Sequence, residues 1–259
     1  MKEINVWWPR GPKPGNFGDI LTPLFLEKFF DYKSRYSAPP FTKDTLLGVG
    51  SIIGKANEYC TVWGSGLMKS NAILHPDARY LAVRGPRTYH RLKELNIPAP
   101  DVFGDPALLL PKLFSGPKLR KTPYDYGIFA HYVDTDQITQ WYPNDPNVLI
   151  INPLNSNPFI VAKQVLKCKR IISSSLHGII VSHAYGIPAV WVKHSDKLNG
   201  DGVKFHDHYE AVGLEAKCLD FQEKIEISEF DKFEYMVGKQ IDTDKILRSL
   251  EQYLNGYRQ

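Results

Sequence analysis

Cysteine is scarce in this chain: Cys60, Cys168 and Cys218 are odd in number and far apart. No C-x-x-C occurs, so neither a disulfide framework nor a zinc ribbon fits, and free thiols in a reducing cytoplasm are expected. Long apolar runs are missing too. No stretch reaches the roughly 18 residues that a membrane span requires, and the most apolar one, Gly178 to Val192, is interrupted by His183 and Pro188. Met1 to Trp8 reads as a strand start without the apolar core of a secretion signal. Basic clusters are equally absent: no four Lys/Arg stand in a row, and no aromatic-basic RNA-binding signature is found. A formal net charge of +4, with an isoelectric point near 8.8, is too weak and too evenly spread for nucleic acid. It suits an anionic small substrate, or peripheral contact of a cytoplasmic protein with the inner membrane face. No internal repeat marks a solenoid, and no segment announces an oligomer interface.

What is present is alternation. Ile4 to Trp8 reads as a strand, followed by a Pro/Gly-rich loop from Pro9 to Gly18 and a helix from Asp19 to Phe30. Further strands are expected at Leu46 to Val49, Thr61 to Trp63 and Tyr80 to Val83, then a helix from Thr88 to Leu95. Strands alternating with helices predict parallel α/β layers. Pro111 to Pro123 carries three prolines, a glycine and four Lys/Arg, the composition of an interdomain linker. The pattern then restarts with strands at Tyr126 to Ala130 and Val148 to Ile151 and a helix from Pro158 to Lys167. Two α/β halves follow, residues 1–112 and 123–259, facing each other across a cleft. Near the C-terminus Ile246, Leu247, Leu250, Tyr253 and Leu254 share one helical face, which predicts a packing helix that crosses back onto the first half.

The richest segment runs from Ile171 to Val192: a buried strand, a polar turn, an apolar helix, a Gly-Ile-Pro stop and a second strand. Its turn sets Ser173, Ser174, Ser175 and His177 where a strand hands over to a helix. Ligands of open α/β sheets bind there, outside the carboxyl ends of strands and at helix N-termini. In the first half, Gly48-Val49-Gly50-Ser51-Ile52-Ile53-Gly54 has its last glycine one residue late for a dinucleotide loop. Trp63-Gly64-Ser65-Gly66 is a second turn. In Val83-Arg84-Gly85-Pro86, Arg84 ends a strand and Pro86 suits the first turn of a helix. Arg84 is then either an anion clamp at the sheet edge or a surface arginine paired with an acid. Asn16 and Asp19 are expected to cap the helix that follows them, and Phe103 to Leu110 reads as a turn and an apolar run. His206-Asp207-His208 lacks zinc-helix spacing; the polar stretch His194 to His208 is either a rim, with Lys204 and His206 touching anions, or a solvated loop.

In this order, Asn16-Phe17-Gly18-Asp19, Gly48 to Ser51, Trp63 to Gly66, Val83 to Pro86, Gly104-Asp105-Pro106-Ala107 and Ser173 to Val190 resemble the polysaccharide pyruvyl transferase family. The resemblance covers about three quarters of the chain. It implies two Rossmann-like domains arranged as in GT-B glycosyltransferases, and transfer of a pyruvyl group from phosphoenolpyruvate to a sugar, giving a cyclic ketal. Arg84 and His177 fall on the family's donor-site positions, and Ser175 stands where many members carry an arginine.

The chemistry suits these residues. Protonating the methylene carbon of phosphoenolpyruvate makes C2 electrophilic, and two sugar hydroxyls attack there as phosphate leaves. That needs an acid, cations and a base, with no metal or other cofactor. The expected assignments are His177 as acid and Arg84 as clamp. Ser173, Ser174, Ser175 and Leu176, with local N–H groups, are expected to complete the anion pocket, Lys204 and His206 to line its rim, and Asn16 and Asp19 to orient the acceptor. The donor is expected in the cleft and the acceptor on a lipid- or nucleotide-linked precursor. A nucleotide-sugar glycosyltransferase and a non-catalytic glycan- or nucleotide-binding module are the alternatives.

Overall fold

The computed structural model describes residues 2–11, 13, 15–116 and 122–256. The first half contains β1 (Lys2–Trp7), α1 (Leu21–Phe30), β2 (Tyr32–Tyr36), β3 (Thr45–Leu47), β4 (Cys60–Trp63), β5 (Arg79–Ala82), α2 (Pro86–Glu94) and α3 (Leu110–Leu113). In the second half are β6 (Tyr124–Phe129), α4 (Thr135–Trp141), β7 (Val148–Ile150), α5 (Pro158–Val165), β8 (Cys168–Ser173), α6 (Leu176–Ala184), β9 (Ala189–Lys193), α7 (Val203–Ala211), β10 (Cys218–Asp220) and α8 (Thr243–Gly256). These elements build two parallel five-stranded sheets, ordered β2-β1-β3-β4-β5 and β10-β9-β8-β6-β7. The architecture is mixed α/β and consistent with two Rossmann-like domains.

Both sheets follow one rule. Their second strand lies outside the first, and the third to fifth run the other way, which is the 2-1-3-4-5 winding of open α/β sheets. The reversal falls between β1 and β3 in one sheet and between β6 and β8 in the other. Loops leaving those four strands diverge at each reversal, the place where open α/β sheets bind ligands. The central strands owe their place to apolar runs that suit burial on both faces: all of β4 is buried, as are Ile171, Ile172 and Ser173 of β8.

One apolar core joins the halves, with Phe17 and Phe25 packed in the same cluster as Phe129 and Ile179. α8 crosses back onto the first sheet as its periodicity predicts. Ile246, Leu250 and Leu254 are buried, and the Trp63 indole N–H donates to the Ile246 carbonyl at 2.8 Å. The linker reading starts too early. A 3-10 turn at Pro106–Leu109 runs into α3, and Leu109 and Leu110 are fully buried, so Pro111 opens no linker but belongs to a helical turn. Residues 117–121 of that stretch lie outside the described residues.

Candidate functional site

The four loops at the two reversals supply most of the candidate site. After β1, Asn16 Oδ1 accepts from the Gly18 N–H at 3.0 Å, closing a tight turn. The same loop is pinned to the other half: the Phe17 N–H donates to the Pro153 carbonyl at 3.0 Å, and Asn16 bridges Leu154. Asn16 and Asp19 therefore do not cap α1. Its N-cap is Ile20, with no side-chain bond, because the loop has already turned toward the second sheet.

His177 stands in the first turn of α6 and inserts between the first-half loops. A Cβ on Gly18 would lie 2.1 Å from His177 Nδ1, and one on Gly50 would lie 3.7 Å from Nε2. Gly18 is thus a glycine for space. Gly50 also has φ +105°, a conformation that disfavours other residues. The loop after β3 passes into a 3-10 turn at Ile53–Lys55 instead of an α-helix, so it offers no dinucleotide-type helix N-terminus.

Two carboxyls gather on the first-half side. Asp105, fully buried, accepts from the Ala107 N–H at 2.9 Å and the Gly50 N–H at 3.2 Å. Burial still outweighs those bonds and the Arg84 charge, and pushes its pKa up to about 6. Asp19 is pushed up to about 7, by burial first and by the Asp105 charge second. By sequence Asp105 reads as a turn residue. Its place at an apolar run just after a glycine gave no hint that it braces the Gly50 loop.

Positive groups gather on the other side. Lys204 of α7 is buried, and its ammonium has no carboxylate partner among the described residues; it reaches the Asn199 carbonyl at 3.5 Å and lies 5.4 Å from the centre of the Phe205 ring. Burial and the Arg84 charge pull its pKa down to about 8. His131, at the carboxyl end of β6, is held down to about 4 by burial and by Lys204, with Asp134 opposing. Burial, then Lys204, His131 and Arg84, hold His177 down to about 3. Both imidazoles are neutral at pH 7 because burial strips water from the charged form and the nearby positive charge adds to that cost. His131 escaped the sequence reading, although the loop after β6 flanks the second reversal and its position was signal enough.

The serines of the β8–α6 turn divide their work. Ser173 Oγ lies 2.8 Å from the Phe129 carbonyl oxygen and accepts from the Ser175 N–H at 3.1 Å, so it shapes the turn. Ser174 Oγ accepts from the His131 N–H at 2.9 Å, tying the loops across the reversal. Ser175 is the N-cap of α6 but makes no side-chain cap bond, and Leu176, buried, opens the helix. Ser174 and Lys204 both line a pocket of about 320 Å³ whose other walls include Trp191, Phe205, Asp201 and Cys218. Neither Arg84 nor His177 lines it, although both lie within electrostatic range of Lys204.

Arg84 is paired with an acid, as one of its two readings had it, but deep inside. Arg84 and Asp207 are both fully buried. Nε donates to Asp207 Oδ2 at 3.0 Å, Nη1 to Ser51 Oγ at 2.6 Å and Nη2 to the Leu67 carbonyl at 2.8 Å. Asp207 also accepts from the Thr88 N–H at 2.9 Å and from its hydroxyl at 2.6 Å, which fixes the first turn of α2 against α7. Gly66 leaves room for the guanidinium, since a Cβ there would lie 2.4 Å from Arg84 Cζ.

The stretch from His194 to His208 divides: Asp196 to Asp201 is a largely exposed loop, while the end forms α7, and its polar members separate. His194 Nδ1 lies 3.2 Å from the Phe221 carbonyl oxygen, and His208 Nε2 lies 3.1 Å from His183 Nδ1. His206 sets its ring against the edge of Trp191, outside the pocket. Among the described residues no three His, Cys, Asp or Glu side chains converge as metal ligands would.

The sequence profile of polysaccharide pyruvyl transferases matches residues 22–196. An uncharacterized protein of Acanthamoeba polyphaga mimivirus is 33% identical over 195 residues, spanning 71% of this chain and 68% of that protein. The crystal structure of a functionally uncharacterized protein from Klebsiella pneumoniae aligns with a TM-score of 0.44 and 15% identity, covering 81% of this chain and 88% of the other. The matched profile runs from the first turn of α1 to just beyond β9 and takes in Arg84, Asp105, His131 and His177, and on that ground the chain belongs to the polysaccharide pyruvyl transferase family.

Proposed function

We propose that this protein transfers the pyruvyl group of phosphoenolpyruvate to a pair of hydroxyls on a cell-surface or exopolysaccharide precursor, forming a pyruvate ketal. One observation carries the reading: a buried Lys204 ammonium, without a counter-charge among the described residues, lines one pocket with Ser174 just ahead of α6, within electrostatic range of the neutral His131 and His177 and of the Arg84 guanidinium. A small dianion supplies the charge this arrangement lacks. The donor's phosphate and carboxylate lie against Lys204, Ser174, Ser175 and the free N–H groups of α6. Arg84 adds its charge at longer range, held by Asp207.

The donor's charge raises His177 from its depressed state, so the imidazole takes up a proton and delivers it to the methylene carbon. C2 becomes electrophilic, one sugar hydroxyl adds there, the C2–O bond to phosphate breaks, and the second hydroxyl closes the ring. One hydroxyl proton replaces the one given to the methyl group and the other leaves with phosphate. Asp19, whose pKa near 7 suits a base at neutral pH, receives the proton of the attacking hydroxyl. Asn16 holds its loop, and His206 backs the Trp191 edge of the rim. Residues 1–112 and 123–259 act as two domains arranged as in GT-B enzymes, and the net charge of +4 favours lipid-linked acceptors at an anionic membrane face.

The test is phosphate release from phosphoenolpyruvate with lipid-linked sugar acceptors, read with the mass gain of one pyruvyl ketal. Acceptor-dependent release is expected. Consumption of a nucleotide sugar in place of phosphoenolpyruvate marks a glycosyltransferase instead, and tight donor binding without turnover marks a binding module.

A further inference from the structure

The pocket beside Lys204 is wider than a three-carbon donor needs. Ser173 of β8 is in register with Trp191 of β9, and Trp191 with Cys218 of β10. From the β8 end to the edge strand the pocket therefore crosses two strand spacings, roughly 10 Å. Its two ends differ in chemistry. At the β8 end stand Ser174 and the unpaired Lys204. Toward the edge strand, Lys193 is ion-paired with Asp196, and Asp201 is committed to the Ser70 N–H at 2.8 Å and the Ser70 hydroxyl at 2.6 Å. That end has no spare charge for an anion. It does have an aromatic wall, with Trp191 stacked on Phe205 at 4.2 Å between ring centroids. The Trp191 indole N–H has no hydrogen-bond partner among the described residues, and the ring is only partly buried.

We propose that the edge-strand end of this pocket, walled by Trp191 and reaching Cys218, is the subsite for an uncharged sugar ring of the acceptor. An aromatic wall offers the apolar face of a pyranose a flat contact, and a free indole N–H donates to a ring hydroxyl. Neutralised carboxylates around it accept from other hydroxyls without repelling an anionic donor alongside. A ring in this subsite lies next to the Lys204 end, so its hydroxyls face the carbon that Lys204 and Ser174 hold in reach. The inference rests on the pyruvyl-transfer reading for its direction, but the subsite is tested without turnover.

Cys218 is the reporter. It is the exposed thiol among the three, with Cys60 and Cys168 buried. Alkylation of Cys218 by iodoacetamide is followed by peptide mass spectrometry on the full chain. Methyl glycosides of galactose, glucose, mannose and their N-acetyl forms are added one at a time, and phosphoenolpyruvate is tried alone. A glycoside that occupies the subsite slows labelling about tenfold at about ten times its dissociation constant, by mass action. Trp191→Ala is expected to abolish that protection. If the variant does not fold, attaching a sugar-sized maleimide to Cys218 must block acceptor-dependent phosphate release while leaving phosphoenolpyruvate binding intact. Protection by none of the glycosides, or equal protection by phosphoenolpyruvate alone, overturns the subsite. Glycoside protection without any phosphate release leaves the subsite standing and overturns the pyruvyl-transfer reading alone.

Discussion

The two sheets share one winding order yet carry opposite chemistry at their reversals. The first contributes carboxyls, Asp19 and Asp105, whose pKa values burial drives upward. The second contributes His131 and His177, with Lys204 of α7 beside them, and burial drives these downward. Each group is pushed toward its neutral form, because loops packed face to face exclude the water that would solvate a charge. The shared topology delivers loops to one place. Which half holds the acids and which the bases is written only in the side chains at the loop tips.

Removing the imidazole breaks the basic side outright. His177→Ala is expected to lower phosphoenolpyruvate-dependent turnover by about 10²–10⁴-fold, with an unchanged circular dichroism spectrum. Rates near those of the parent protein would show that the acid lies elsewhere. Asp207→Asn attacks the strut behind both sides. It leaves Arg84 buried without its carboxylate, and breaking such a pair is destabilising by about 3–5 kcal/mol. Urea titration reads the effect, and a loss below about 1 kcal/mol would mean that solvent reaches the pair.

Gly18→Ala presses one side into the other. Its new Cβ occupies the place of the His177 ring, and overpacking of this kind is destabilising by about 1–3 kcal/mol. In a His177→Ala background the penalty should largely vanish, and two effects that simply add would show that the residues do not touch.

The smallest effect separates the halves by pH. Asp19 holds its proton more tightly folded, up to about 7, than unfolded, at 3.8. The stability this contributes is complete below pH 4 and is lost as pH rises through 7. His177 behaves oppositely: its folded pKa of about 3 lies below the unfolded 6.5, so stability is lost as pH falls below 6.5. Asp19→Asn is therefore expected to raise the melting temperature at pH 7 and leave it unchanged at pH 4. An equal shift at both values contradicts the raised proton affinity of this half-buried carboxyl.

Much of this was legible in the sequence. The strands of the two sheet centres, the β8–α6 turn and the amphipathic stripe of α8 follow from apolar runs and period, since burial on both faces demands continuous apolar sequence. β2 was missed because an edge strand, Tyr-Lys-Ser-Arg-Tyr, needs no such run. α7 was missed for the opposite reason. Lys204, Asp207 and His208 look like solvent-facing residues, yet all three are buried, and Asp207 and His208 meet partners on α2 and α6 that lie far away in sequence.

Sequence alone thus determined the alternation of elements, the turns where strands meet helices and the family to which they add up. Tertiary structure decided which polar groups meet. Arg84 became an internal strut instead of a free clamp because Asp207, 123 residues further on, met it inside the protein. His177, Asp19 and Lys204 acquired their shifted proton affinities only when three separate segments closed around them and excluded water. Local pattern encodes backbone geometry, but the solvation of a charge depends on everything packed around it.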